Sequence, residues 1–279
     1  MTAPLRILCQ HERGSCAACC GAYNFRDRSA AAERARFTRR TEAVRAAWPH
    51  VDALARVRDA LLAEEKPAVL FAGVKVCPFA GYVDDEAGRV GCLLHPTRHP
   101  TGEDLRDLAV YPKEICASHY CAPHDWLRPR EIDLAQCAEG TGYGRVVTDA
   151  GLVKSMASLI DDALGRAFTA TDVVRARASL TALWERLAAW PYADPDPARF
   201  GGFQFHGDDA VERSIPSSLA GTRVPASNAM RTVLDALGTR ALADDGEARA
   251  AVALVNGWVR AAAHDIEELA KRGSCNQVL

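Results

Sequence analysis

Residues 16–23 read CAACCGAY, with thiols at Cys16, Cys19 and Cys20, the last two adjacent. Cys16 and Cys19 have the C-x2-C spacing that lets two thiolates reach one metal from a tight turn. Cys20 does not easily join them on the same ion, because neighbouring side chains diverge. It points to a second metal or to a multinuclear cluster with several atoms to ligate. Gly14 before the stretch and Gly21 within it fit the close backbone approach such a turn needs. If this reading holds, thiol chemistry organises the first half of the chain, and a hydrophobic core need not.

The rest of the composition bears on that choice. The chain has 279 residues and ten cysteines, and all but Cys275 lie between Cys9 and Cys137. A hydrophobic share of 48% and a charged share of 25% are those of an ordinary globular protein able to bury a core. The net charge of −2 gives no global field for nucleic acid or an anionic membrane. No apolar run is long enough for a membrane span. The opening residues MTAPLRILCQHERG carry only a very short apolar stretch, so no secretory signal is read and a cytoplasmic address is expected. Disulfides suit small secreted scaffolds, so metal ligation is the better account of these cysteines.

The other thiols extend the pattern. Cys77 precedes Pro78, and Cys92 has His95 three residues on. The string ICASHYCAPH places Cys116, His119, Cys121 and His124 as C-x2-H-x-C-x2-H. Cys137 precedes AEGTGYG. The candidate metal ligands are therefore Cys16, Cys19, Cys20, Cys77, Cys92, Cys116, Cys121 and Cys137, with Cys9, His95 and His119 beside them. Zinc accepts thiolate and imidazole, whereas iron–sulfur clusters favour thiolates. The many thiols lean toward clusters and the interspersed histidines toward zinc, so the cofactor stays open between the two. His11, His50, His206 and His264 read as structural, and His99 and His124 as the weaker histidines.

Helical periodicity predicts one helix over 29–48, with Phe37, Thr41, Val44 and Trp48 inward and arginines on the other faces. A second runs from His50 to about Glu65, with Val51, Leu54, Ala55, Leu61 and Leu62 inward. Residues 69–95 read as a hairpin around DDEAG, Cys77 on one arm and Cys92 on the other. Residues 95–147, punctuated by prolines, read as irregular and in need of a fastener other than a core. Helices are then expected over 152–164, 173–187, 230–237 and 247–271, the last ended by Gly273, with an extended loop over 191–225. The fold class is mainly α with a small irregular, β-hairpin-containing cysteine-rich metal-binding region. Residues 1–150 form the cysteine-rich domain and 151–279 an α-helical one.

CAACCG, CPF, CLLHPTRHP, the later cysteine pair and CAEGTGYGRVVTDAGL together resemble the YkgJ-type cysteine-cluster family, described as zinc- or iron-chelating domains. The resemblance spans roughly residues 9 to 155 and implies that Cys16, Cys19, Cys20, Cys77, Cys92, Cys116, Cys121 and Cys137 are ligands. Arg13 stands where the family has its first cysteine, so Cys9 would take that part from a different spacing. His95 stands in the place of a tyrosine, and the insertion TGEDLRDLAVYPKEI delays the next cysteine to Cys116.

Three functions are compatible with these residues. The first is a metal-binding protein whose thiolates chelate an iron–sulfur cluster or zinc, with a redox or structural part. The second is a metal-dependent protein-modifying enzyme, since the resemblance extends to flagellin lysine methylases. The third is a zinc-structured interaction module with a protein partner. Gly140–Gly144 lacks the strand context of a nucleotide loop and reads as a tight turn whose N–H groups face a metal-bound sulfur. The arginine-rich first helix reads as a solvated face and not as a nucleic-acid surface. The loop at Gly201–Asp209 reads as an ordinary surface loop.

Overall fold

In the computed structural model, residues 8–27, 29–84, 88–99, 101–140, 142–194, 199–200, 203–204 and 218–275 are described. Strands β1 (Gln10–His11) and β2 (Gly14–Ser15) make a small hairpin, closed by the Cys16 N–H on the Cys9 carbonyl at 2.9 Å. A 3-10 turn at Ala18–Cys20 follows and ends on Gly21 at φ +68°. Ser29 then caps α1 (Ala30–Ala47), its hydroxyl accepting the Ala32 N–H at 3.2 Å. Beyond a cis Trp48–Pro49 peptide comes α2 (Val51–Glu65).

Helix α1 buries Phe37, Thr41 and Val44, as its periodicity predicts. Its arginines are not all on solvated faces, however. Arg40 is fully buried and Arg36 nearly so, because Glu65 at the end of α2 and the Phe25 ring reach across to them. Leu54 and Leu61 of α2 face inward, while Val51 is 47% exposed at the first turn, ahead of the packed stripe. The Thr41 hydroxyl donates to the Phe37 carbonyl and accepts the Tyr82 N–H, each at 2.8 Å, which fastens α1 to the next hairpin.

That hairpin is β3 (Ala80–Asp84) against β4 (Arg89–Cys92), antiparallel, with Ala80 opposite Cys92. Cys92 lies on β4 as expected. Cys77 instead precedes β3, in a turn where the Ala80 N–H bonds its carbonyl at 3.3 Å.

Residues 95–147 are not irregular throughout. They hold α3 (Lys113–Ser118), α4 (Pro123–Trp126), α5 (Pro129–Ala135) and α6 (Gly142–Thr148). Two of the prolines that suggested loops occupy first helical turns, where a missing N–H costs nothing and the fixed φ suits the helix.

The remainder is α7 (Ala150–Leu164), α8 (Ala170–Arg175), α9 (Arg177–Ala188), a short β5–β6 pair (Arg199–Phe200 with Phe203–Gln204), α10 (Asn228–Ala236) and α11 (Asp245–Cys275). Helix α7 packs on α10 and α11, and α11 packs on α8 and α9. Leu152, Val153, Met156 and Ile160 of α7 meet Val233 and Leu234 of α10 and Val255 and Val259 of α11 in one apolar core. That core reaches back before residue 150, taking in Leu127, Leu134, Tyr143, Val147 and Leu8. The helix expected over 173–187 divides at Ala176, a residue 1% exposed, beside which the Arg177 guanidinium donates to the Gln136 carbonyl at 2.9 Å. Gly273 does not end α11, which carries through to Cys275: a glycine weakens a helix interior without interrupting its hydrogen bonds. The Gly201–Asp209 loop and His206 lie outside the described residues except for Phe203 and Gln204, as does the side chain of Cys275. Among the described residues, no helix is long and apolar enough to cross a membrane.

Candidate metal centre

Four stretches of chain deliver the thiols to one region. The N-terminal hairpin and the 3-10 turn bring Cys9, Cys16, Cys19 and Cys20. The loop before β3 brings Cys77, and it is tied down twice. The buried Asn24 side chain donates to the Phe71 and Val74 carbonyls at 2.9 and 3.0 Å and accepts the Phe71 N–H at 2.9 Å. The Cys77 N–H bonds the Cys20 carbonyl at 2.9 Å. Strand β4 brings Cys92, which packs with Cys20 and Cys77 in a single apolar cluster. The α3–α4 segment brings Cys116 and Cys121.

None of the nine described cysteines is in a disulfide. Burial pushes each of these thiols up first, and for all but Cys116 and Cys137 neighbouring thiolates push them further. Cys9 is raised to about 11 by burial and then by Cys19 and Cys121. Cys16 is raised by burial, then by Cys9, Cys19 and Cys121, and Cys121 by burial and then Cys19. Every pair among Cys9, Cys16, Cys19 and Cys121 is thus within electrostatic range. The same holds for Cys20, Cys77, Cys92 and Cys116. Burial and then Cys77, Cys92 and Cys116 raise Cys20; burial and then Cys77 and Cys116 raise Cys92 to about 12; burial and Cys116 raise Cys77. Across the two groups, the same influence runs from Cys19 to Cys20 and Cys116.

Opposing charge and backbone donors act the other way. The Ala18 N–H lies 3.5 Å from Cys16 Sγ, and the N–H groups of Phe79, Leu94 and His124 favour the thiolates of Cys77, Cys92 and Cys121. Arg106, only 10% exposed in its side chain, favours the Cys92 and Cys116 thiolates and donates to the Cys116 carbonyl at 3.4 Å. Arg40 does the same for Cys77. These donors and cations offset only part of the rise, since burial still leaves each of these thiols above its usual value. As placed, no group of three or more His, Cys, Asp or Glu among the described residues stands in a geometry that holds one ion.

Arg106 is held by Asp104, whose oxygens accept its guanidinium at 2.8 and 2.6 Å. Those hydrogen bonds hold the Asp104 carboxyl at about 2, below its usual 3.8. Since the folded value is the lower one, this pair stabilises the fold fully above about pH 4 and ceases to as pH falls through about 2. Acid titration followed by circular dichroism should show wild type losing its stability advantage over Asp104→Asn across that window. Parallel acid transitions would mean the pair contributes nothing.

The remaining candidates lie elsewhere. Cys137 is fully buried in the helical core, with its Sγ 3.5 Å from the Asp133 carbonyl; burial lifts it to about 11, and the charges around it are Arg177, Asp133 and Glu139, none of them a thiol. His95 caps a 3-10 turn, its Nδ1 facing the Thr97 N–H and hydroxyl at 3.3 and 2.9 Å. His119 is the exposed C-cap of α3. His99, ranked among the weaker histidines, stacks on Trp48 at 3.7 Å.

His124 meets a thiol directly. Its Nε2 accepts the Leu8 N–H at 3.2 Å, so Nδ1 carries the proton and faces Cys121 Sγ at 3.5 Å. The C-x2-H spacing of Cys121 and His124 is the signal for it in the sequence. Arg40, Arg106 and Asn24 have no such local signal.

In the glycine run, α6 begins at Gly142, and the carbonyl of Gly144, not an N–H, meets Cys16 Sγ at 3.9 Å. The helix is turned that way because Tyr143 is buried with its hydroxyl on the Leu8 carbonyl at 2.7 Å, and the Arg145 guanidinium pairs with the buried Glu33.

No protein-family model, curated protein or solved structure matches the chain.

Proposed function

We propose that this is a metal–thiolate protein, in which the clustered cysteines chelate an iron–sulfur cluster or zinc. One observation carries the reading: separate stretches of chain bring Cys20, Cys77 and Cys92 into one cluster and bond Cys16 to Cys9, with Cys19, Cys116 and Cys121 within electrostatic range of them, while Cys137 sits apart. The surroundings support it. The α3–α4 segment that carries Cys116 and Cys121 has little apolar packing of its own, leaving Ile115, Tyr120 and Trp126 exposed at 49, 48 and 63%. A metal bound to those thiolates would supply the order that a core does not, because a site that forms on folding adds its binding energy to folding. The cysteine motifs' resemblance to YkgJ-type chelating domains points the same way.

Anaerobic purification with metal and acid-labile sulfide analysis tests this directly. Brown protein with labile sulfide assigns an iron–sulfur cluster, and colourless protein with stoichiometric zinc assigns a zinc–thiolate site. Cys19→Ser and Cys121→Ser should each lower the metal content at least twofold. Folded protein free of both metals would overturn the proposal.

A further inference from the structure

Cys19 and Cys20 are adjacent in one 3-10 turn, where successive side chains point about 120° apart. Two such thiols do not converge on one small centre, and their neighbours differ accordingly. Cys20 is half-buried among Leu93, Leu94, Phe79, Cys77 and Cys92, while Cys19 is exposed. The Cys77 N–H on the Cys20 carbonyl and the Ala80–Cys92 strand pair hold three thiols together, and Arg106, bonded to the Cys116 carbonyl, brings the fourth beside Cys92. On the other side, the β1–β2 hairpin closes Cys9 onto Cys16. His124 bridges the Leu8 N–H to the Cys121 sulfur and so draws Cys121 against that hairpin.

Resting on the metal–thiolate reading, we infer that the chain carries two distinct four-thiol sites, Cys9–Cys16–Cys19–Cys121 and Cys20–Cys77–Cys92–Cys116, each taking its own thiophilic centre. The division rests on these hydrogen bonds and on the packing of Cys20, Cys77 and Cys92 in one cluster, and the thiols of each group also influence one another electrostatically. Each site has four thiol donors, enough to close the coordination of one zinc ion or to hold one four-iron cluster. Each also joins distant parts of the chain. The first ties residues 9–19 to residue 121, and the second ties the 3-10 turn to the β3–β4 hairpin and α3. Cys137 belongs to neither, and Cys19 and Cys20 place the two centres side by side.

The test is stoichiometry on the full-length chain. Metal-free, reduced protein is titrated with Co2+, following the thiolate-to-cobalt absorption, and the as-purified protein is assayed for iron, sulfide and zinc. Wild type should saturate at two equivalents of Co2+ with four thiolates to each. Cys9→Ser/Cys121→Ser and Cys92→Ser/Cys116→Ser should each saturate at one, a twofold loss, and the four substitutions together should abolish binding. Cys137→Ala should leave the count unchanged. Wild type saturating at one equivalent would overturn the inference while leaving the metal–thiolate reading intact, whether or not the variants fold. Loss of all binding in either double variant that retains helical circular dichroism would overturn it too. Wild type binding no metal at all would overturn the metal–thiolate reading itself.

Discussion

Glu65→Ala should destabilise the protein by about 3–5 kcal/mol in equilibrium denaturant titrations, because it leaves a buried guanidinium unpaired. Arg40 is fully buried and Glu65 is 4% exposed in its side chain. Two parallel hydrogen bonds join them, Nε to Oε1 at 2.9 Å and Nη2 to Oε2 at 2.5 Å. The remaining amine donates to the Ala80 carbonyl at 3.3 Å, so one side chain ties α1 to α2 and to the start of β3. The Phe25 ring 5.6 Å away offers its π face but no acceptor strong enough to replace a carboxylate. Glu64 is the control: it pairs with the half-exposed Arg39 and is itself 56% exposed, so Glu64→Ala should cost within about 0.5 kcal/mol. Equal, small costs for both substitutions would show that Arg40 finds water once Glu65 is gone. The pair also bears on the candidate centre, since Arg40 is the cation that favours the Cys77 thiolate.

Gly21→Ala should be nearly as damaging. Gly21 sits at φ +68°, which costs an L-residue about 1–2 kcal/mol. A Cβ there would overlap the Lys75 carbonyl oxygen and lie 3.0 Å from Val76 Cα, both backbone atoms with no rotamer to yield. Such overpacking adds about 1–3 kcal/mol. Gly165 isolates the first effect: its φ is +66°, and nothing lies within 4 Å of its added Cβ. Gly165→Ala should therefore lose only the backbone part, and matching denaturation midpoints for the two variants would show that the Lys75–Val76 loop moves freely. Because Lys75 lies two residues before Cys77, and Cys77 is hydrogen-bonded to Cys20, the proposed metal–thiolate reading predicts that Gly21→Ala also lowers metal content.

The long helices were legible from periodicity because a helix that buries one face repeats its apolar residues at the helical pitch. Leu152, Met156 and Ile160, Leu180 and Leu187, and Met230 and Val233 all face the core as that spacing requires. The short helices between residues 113 and 148 were not legible: each is too brief to show a period, and their prolines read equally well as loop or first turn. Arg40 was misread for a related reason. A charge on an amphipathic helix is solvated by default, and the carboxylate that makes its burial tolerable lies 25 residues further along the chain.

In the thiol region, spacing singled out which residues have the chemistry. Cys16, Cys19, Cys20, Cys77, Cys92, Cys116 and Cys121 lie within electrostatic range of one or more of the others, and so does Cys9, the candidate set beside them from a different spacing. The same spacing also picked Cys137, which the fold places in the helical core, and His95, which it uses as a cap. Chemistry and short-range geometry are properties of neighbouring residues: the three thiols of CAACCGAY, the helical stripes and the turn at Gly21 follow from the sequence alone. Which thiol meets which, that Arg40 is buried and that Gly144 offers a carbonyl to Cys16 depend on contacts between residues tens of positions apart. Only the packed chain brings those residues within reach, because burial and charge act through space without regard to sequence distance.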